Sequence, residues 1–344
     1  LIVHVLHGMI QTPFFVSFWL RRLTQHCFDD TLVPPKSQGG EDRMTGLKIV
    51  SATLALLLSM YLYADNAPSV KRGYQASVET GGSVEQQYLE DGAYQTSRYT
   101  ARAESPIEKY TVYYPRVLEN DTQTYPMVLI VNQTGGKATK YEPLLKHLAS
   151  WGFIVVGTQD KGTGTGETTI QTLNDMLSLN DDPDSRFFQK IDTENIGVTG
   201  HSQGGAATIR AITMYPESRL FKTAVPISPV CERVAQQATE YPYDSANVHC
   251  PIFLLAGTSG EFETEVVIPF SDMEGMFEKI PSPKIMARKT DMTHDDMLYK
   301  ADGYVTAWFM WQLQGDENAA TAFIGNDPEI LKNPLYQDQK TTLK

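Results

Sequence analysis

The chain predicts an α/β fold in which a mostly parallel sheet is covered by helices on both faces, and three observations carry that expectation. Met127-Val128-Leu129-Ile130-Val131 and Ile252-Phe253-Leu254-Leu255-Ala256 are continuous apolar runs of strand length, typical of strands buried on both faces. Between such runs the period changes: Tyr141, Leu144, Leu145, Leu148 and Ala149 recur at the spacing of one helix face. The 344 residues are 41% apolar and 10% aromatic, ample for a sizeable core and against disorder over most of the length.

The elements can be justified in order. Residues 1–43 show no clean helical or strand period and are read as upstream translated or expression-derived sequence. Met44, then Thr-Gly-Leu-Lys48 and the apolar run Ile49 to Leu58, has the order of a secretory signal peptide ending near Ala64. The expectation is therefore a signal at 44–64 and a single domain at 65–344, secreted or periplasmic, with no membrane span once the signal is removed. From about 70 to 105 the chain is rich in Gly, Ser, Gln and Tyr, with Asp91-Gly92 as a turn signal, which predicts an antiparallel hairpin region. Glu108 to Tyr114 alternates as a strand. Past Asn120-Asp121 come strands at 127–131, 153–156, 196–199, 223–227, 252–256 and 284–288. Helices are expected at about 141–149, 169–179, 204–214, 272–280 and 304–313, and this alternation makes a mostly parallel sheet.

Composition excludes several classes of function. With 29 Lys and Arg against 41 Asp and Glu, the net charge of -12 opposes any general grip on nucleic-acid phosphate. No apolar run reaches the ~18 residues of a membrane-spanning helix. Cys27, Cys231 and Cys250 lack the CxxC spacing of a zinc site, so no metal is expected, although Cys231 and Cys250 could bond in an exported protein. Gly162-Thr163-Gly164-Thr165-Gly166 lacks the Lys-Ser/Thr of a phosphate-binding loop and is expected to be a flexible surface loop near the site.

Chemistry concentrates at Gly200-His201-Ser202-Gln203-Gly204-Gly205. A G-x-S-x-G between a strand and a helix presents its serine hydroxyl on a sharp turn, with flanking glycines where a Cβ would strike neighbouring chain. A serine hydroxyl is a poor nucleophile until a base takes its proton. Of seven histidines, His294 falls in the loop after the last parallel strand, where such a base belongs. The orienting acid is expected after the strand at 252–256, where Glu261 is the first choice, Glu263 the second and Glu265 the third. Two N–H groups must hold the oxyanion. One is the amide of Gln203, and the other comes from the loop after Val131, with Gln133 ahead of Thr134.

These residues, with Leu148 to Val156, Val225-Pro226-Ile227-Ser228-Pro229, Pro251 to Gly257 and Tyr304 to Trp308, resemble the α/β-hydrolase superfamily. Within it the chain is similar to bacterial cutinase-like polyester hydrolases and their dienelactone-hydrolase-like relatives, over about residues 106–325. The resemblance implies Ser202 as nucleophile, His294 as base, and the amides of Gln203 and Gln133 as oxyanion hole. Two departures stand out. Gly260 followed by Glu261 replaces the family's aspartate and shifts the acid by one residue. Gln133 and Val230 replace an aromatic and a tryptophan, thinning the aromatic clamp expected for terephthalate-type polyesters.

The expectation is a secreted, monomeric serine esterase that forms an acyl-enzyme on small or polymeric esters, without cofactor, metal or nucleic-acid partner. Dienelactone-hydrolase-like or peptidase activity on the same triad is the enzymatic alternative. An inactive binding protein on this fold is the other.

Overall fold

The structure, a computed structural model, describes residues 67–344; the expected leader at 1–43 and the signal at 44–64 lie outside the described residues. After a 3-10 turn at Tyr74–Ser77 come α1 (Ser83–Leu89), β1 (Thr96–Arg102), β2 (Lys109–Pro115), β3 (Tyr125–Val131), α2 (Glu142–Ser150) and β4 (Ile154–Gly157). The series continues with α3 (Glu167–Asp181), β5 (Ile191–His201), α4 (Gln203–Ala211), β6 (Phe221–Ile227), α5 (Glu232–Ala238) and β7 (Ile252–Gly257). It ends with α6 (Phe270–Lys279), β8 (Lys284–Lys289), α7 (Asp302–Gln314), α8 (Glu317–Ala320) and β9 (Tyr336–Thr341).

The nine strands form one sheet in the order β1-β2-β4-β3-β5-β6-β7-β8-β9. β4 through β8 in that order run parallel, while β1, β2 and β9 pair antiparallel at the two edges. Strand register explains the unbroken apolar runs. Met127, Leu129 and Val131 enter one core with Leu173 and Ile209, whereas Val128 enters the other with Leu148 and Trp308. Ile252 and Leu254 likewise face opposite to Phe253 and Leu255. Because successive side chains alternate across a sheet covered on both sides, neither set can be polar. α7 is buried over most of its circumference and anchors Trp308, whose Nε1 donates to Thr223 Oγ1 at 2.8 Å.

Three expectations are corrected here. The stretch 70–105 is not a hairpin region: residues 83–89 form α1, Asp91-Gly92 joins α1 to β1, and the hairpin is β1 with β2. Val84, Tyr88 and Leu89 share a buried face, and Glu85 is buried among them because Lys289 Nζ, Asn333 Nδ2, Tyr336 Oη and the Gly81 amide all donate to it. The glycine-rich loop is not a free surface loop. Thr163 and Gly164 are buried, Tyr241 packs over Gly164, and Thr165 O accepts from Arg210 Nε at 2.6 Å and Tyr215 Oη at 2.7 Å. Cys231 and Cys250 are buried free thiols, not a disulfide, and burial raises the pKa of Cys231 to about 11.

Among the described residues no helix is long and apolar enough to cross a membrane.

Candidate active site

The order of the sheet reverses between β3 and β5, so the loops that follow these two strands diverge and leave a crevice at their carboxyl ends. β5 runs directly into the turn that bears Ser202, and α4 begins one residue later. Ser202 has φ 59° and ψ -121°, a left-handed conformation costly for a residue with a Cβ and held by its surroundings. Its amide donates to Ile227 O at 3.0 Å, and its carbonyl accepts from the Gly205 amide at 2.9 Å. A Cβ on Gly204 would collide with Val131 O and Asn132 O, and one on Gly200 with Gly204 O. Both glycines are thus required by close approach of backbone, which brings α4 hard against the loop after β3.

That loop is tied down by its own side chains. Asn132 Nδ2 donates to Asp160 O at 2.6 Å and Thr158 O at 3.0 Å, and Thr163 Oγ1 donates to Asn132 O at 2.6 Å. The Gly136 amide closes a turn onto Gln133 O at 2.8 Å. The glycine-rich loop thereby braces the segment carrying Gln133 and Thr134. Gln203 is the first residue of α4, where a helix leaves its amide N–H groups without intrahelical acceptors.

His294 lies after β8, buried, with its ring centroid 4.5 Å from that of His201 and 5.0 Å from that of Phe262. Its Nδ1 faces Glu263 Oε2 at 2.6 Å. The other carboxylate oxygen, Oε1, accepts from Ser228 Oγ and the Gly257 amide, each at 2.6 Å. Burial alone would push the Glu263 carboxyl up, but the hydrogen bond and charge of His294, with the donations of Ser228 and Gly257, hold it below the usual carboxylate value.

Glu261, the first choice for the acid, is exposed and does not meet His294; the carboxylate brought to its Nδ1 is Glu263, the second choice. Residues Phe262–Val267 form a single π-helical turn, and side chains two positions apart on such a turn face nearly opposite ways. Glu263 therefore points under His294 while Glu261 and Glu265 are exposed. Glu263 sits one position before Thr264 and four before buried Val267, a helical spacing that marks the inward side. Ser202, His294, Gln203 and Gln133 lie at this end of the sheet, in its loops and at the start of α4, with His201 in contact with both Gln133 and the His294 carbonyl. Sequence reasoning missed Ser228, Asn132, Thr163 and the part played by His201. Ser228 takes a positive φ of 42° on the loop after β6, a signal readable only from the backbone.

His201 is fully enclosed. Its Nε2 faces His294 O at 2.8 Å and its Nδ1 faces Gln133 Oε1. Burial, followed by the neighbouring charge of His294, keeps its pKa well below the ordinary histidine value, so the ring is neutral.

A sheet of this order, with a serine at positive φ between β5 and a helix, defines the α/β-hydrolase fold. The finer grouping comes from relatives. A family model for PET hydrolase-like proteins matches residues 73–261, and the chain belongs to that family. Cutinase 1 of Thermobifida cellulosilytica is 31% identical over 124 residues, which is 35% of this chain and 44% of that protein. Cutinase of Thermobifida fusca (strain YX) is 31% identical over 124 residues, covering 35% and 38% of the two chains. Cutinase 2 of Thermobifida cellulosilytica is 32% identical over 122 residues, covering 35% and 44%. The chain thus spans less than half the length of these curated relatives.

Proposed function

We propose that the protein is an exported serine hydrolase of carboxylic esters. Ser202 is the nucleophile, His294 the general base, and Glu263 the acid that fixes the Nδ1–H tautomer of His294 and stabilises the imidazolium it becomes. The Gln203 and Gln133 amides receive the oxyanion. His294 takes the Ser202 proton as the oxygen attacks the ester carbonyl, then returns it to the departing alcohol. Water, deprotonated by the same ring, releases the acid from the acyl-enzyme and restores the serine. These side chains supply nucleophile, base and charge stabilisation, so the cycle needs neither metal nor organic cofactor.

The observation that carries the reading is the 2.6 Å contact of His294 Nδ1 with buried Glu263, on a loop bonded to His201, the residue that precedes Ser202 at its positive-φ turn. Its relatives named as cutinases support an ester as the substrate. Export is supported by the signal pattern at 44–64. The inactive-protein alternative drew on a displaced acid, and the contact of Glu263 with His294 Nδ1 supports the active reading over it. Gln133 and Val230, standing where aromatics were expected, favour esters that need no ring stacking over terephthalate-type polymers.

The test is Ser202→Ala. It should abolish labelling by a fluorophosphonate and lower kcat for p-nitrophenyl butyrate by roughly 10^3-fold or more, while circular dichroism stays unchanged. A variant that keeps a tenth of wild-type turnover sinks the assignment. Parallel assays with short peptides and a polyester film separate esterase from peptidase and polymer hydrolase.

A further inference from the structure

We propose that the side chains of His201 and Gln133 form a clasp that holds the Gln133 amide in place for the oxyanion and links it to the loop carrying His294. The proposal rests on the hydrolase reading above and assigns both side chains a positioning role.

Three loops that are distant in sequence meet at one imidazole. His201 ends β5 at the serine turn, Gln133 belongs to the loop after β3, and the His294 carbonyl to the loop after β8. A carbonyl oxygen only accepts, so the 2.8 Å contact between Nε2 and His294 O places the ring proton on Nε2. A neutral ring then has a lone pair at Nδ1, which requires a donor. The structure sets the Gln133 side-chain oxygen, Oε1, against Nδ1 with its NH2 group turned away, and both residues are buried from water. So placed, Gln133 would set lone pair against lone pair and leave its buried Nε2 without a partner. With the amide turned over, its nitrogen donates to Nδ1, and the chain Gln133 to His201 to His294 O runs in one direction.

The consequence falls on geometry. An oxyanion donor on a loop works only when held at its position before charge develops. The Gln133 backbone is already turned by the Gly136 amide bond, and the side-chain clasp fastens the same residue to the serine turn. Through the second bond, His294 cannot shift its backbone without pulling the ring that Gln133 grips. Neutrality matters as well. A charged His201, with its ring 4.5 Å from that of His294, would oppose the imidazolium that forms during catalysis.

The experiment uses the full chain. Gln133→Met and His201→Phe keep bulk and remove the bonds, and they are assayed with p-nitrophenyl butyrate singly and together. Each single change should lower kcat about 10- to 100-fold with KM held within about twofold, the pattern of a misplaced transition-state donor. The pair should cost little more than the worse single change, because one clasp is lost once. Separately, 15N NMR of histidine-labelled wild-type protein should find His201 neutral with its proton on Nε2 throughout the neutral range. Multiplicative losses in the pair, unchanged kcat in either variant, a loss confined to Tm, or a proton on Nδ1 would each overturn the clasp. Inactivity of the wild-type protein itself would instead overturn the hydrolase reading, and the NMR arm would still judge the clasp.

Discussion

Replacing Glu263 by glutamine changes one group at a place where every contact of the carboxylate is defined. Oε1 accepts from Ser228 Oγ and the Gly257 amide, and Oε2 accepts from His294 Nδ1, all at 2.6 Å. Glutamine has one oxygen and one NH2 group, so keeping the first two bonds turns its N–H groups toward Nδ1. His294 is then driven to carry its proton on Nε2, and a ring in that tautomer cannot take the proton of Ser202. Loss of tautomer control in a serine triad lowers kcat by about 10^4, equivalent to roughly 5 kcal/mol in the barrier at about 1.4 kcal/mol per decade. The assay is kcat for p-nitrophenyl butyrate, normalised to folded protein by circular dichroism. Glu261→Gln and Glu265→Gln serve as controls, because both carboxylates are exposed and should stay within about twofold of wild type. Retention of a tenth of kcat by Glu263→Gln, or a collapse in Glu261→Gln of similar size, refutes the reasoning.

Three further outcomes are expected. His147 is buried, with Nδ1 2.7 Å from Asp302 Oδ2 and Nε2 2.8 Å from Glu90 O; burial lowers its pKa, but Asp302 and the Glu90 carbonyl outweigh that and raise it. A raised folded pKa gives stability that is full below the ordinary histidine value of about 6.5 and is lost as pH rises through the folded value. Thermal melts should fall over that window in wild type, and His147→Gln should flatten the slope. Lys289→Met leaves buried Glu85 without its cation, at a cost of about 3–5 kcal/mol, read as a Tm drop of roughly 5–9 °C by calorimetry. Gly204→Ala drives a methyl into Val131 O and Asn132 O and should cut both Tm and kcat, whereas Gly275→Ala, inside α6 with open space around it, should leave kcat unchanged and hold or slightly raise Tm.

Much of the architecture could be read from local pattern. The strand at 127–131 is legible because both faces of the sheet are covered, and the helix at 141–149 because only one of its faces is. Ser202 was legible because a strand, two glycines and a helix stand in covalent order, and His294 because it follows the last parallel strand. α1 was missed for the opposite reason. Its buried Glu85 counts as a polar residue until Lys289, far along the chain, supplies the charge that lets it sit inside. β9 was missed because a half-exposed edge strand of Tyr-Gln-Asp-Gln-Lys-Thr has no apolar alternation; pairing with β8 makes it a strand.

The choice between Glu261 and Glu263 shows where the boundary lies. By itself the sequence determined the fold class, the serine turn and the two loops that must provide base and acid, since these follow from periodicity and chain order. Which carboxylate reaches His294 was decided by a π-helical turn that sends neighbouring acids to opposite sides, and the turn is set by packing of Phe262 against His294 and Val267 into the core. The same holds for His201. Its ring is neutral and bonded because the loops after β3 and β8 close over it, and no local pattern in the chain specifies that meeting. Direction of a side chain and state of a proton depend on what the rest of the molecule brings within a few ångströms, so only the tertiary structure could settle them.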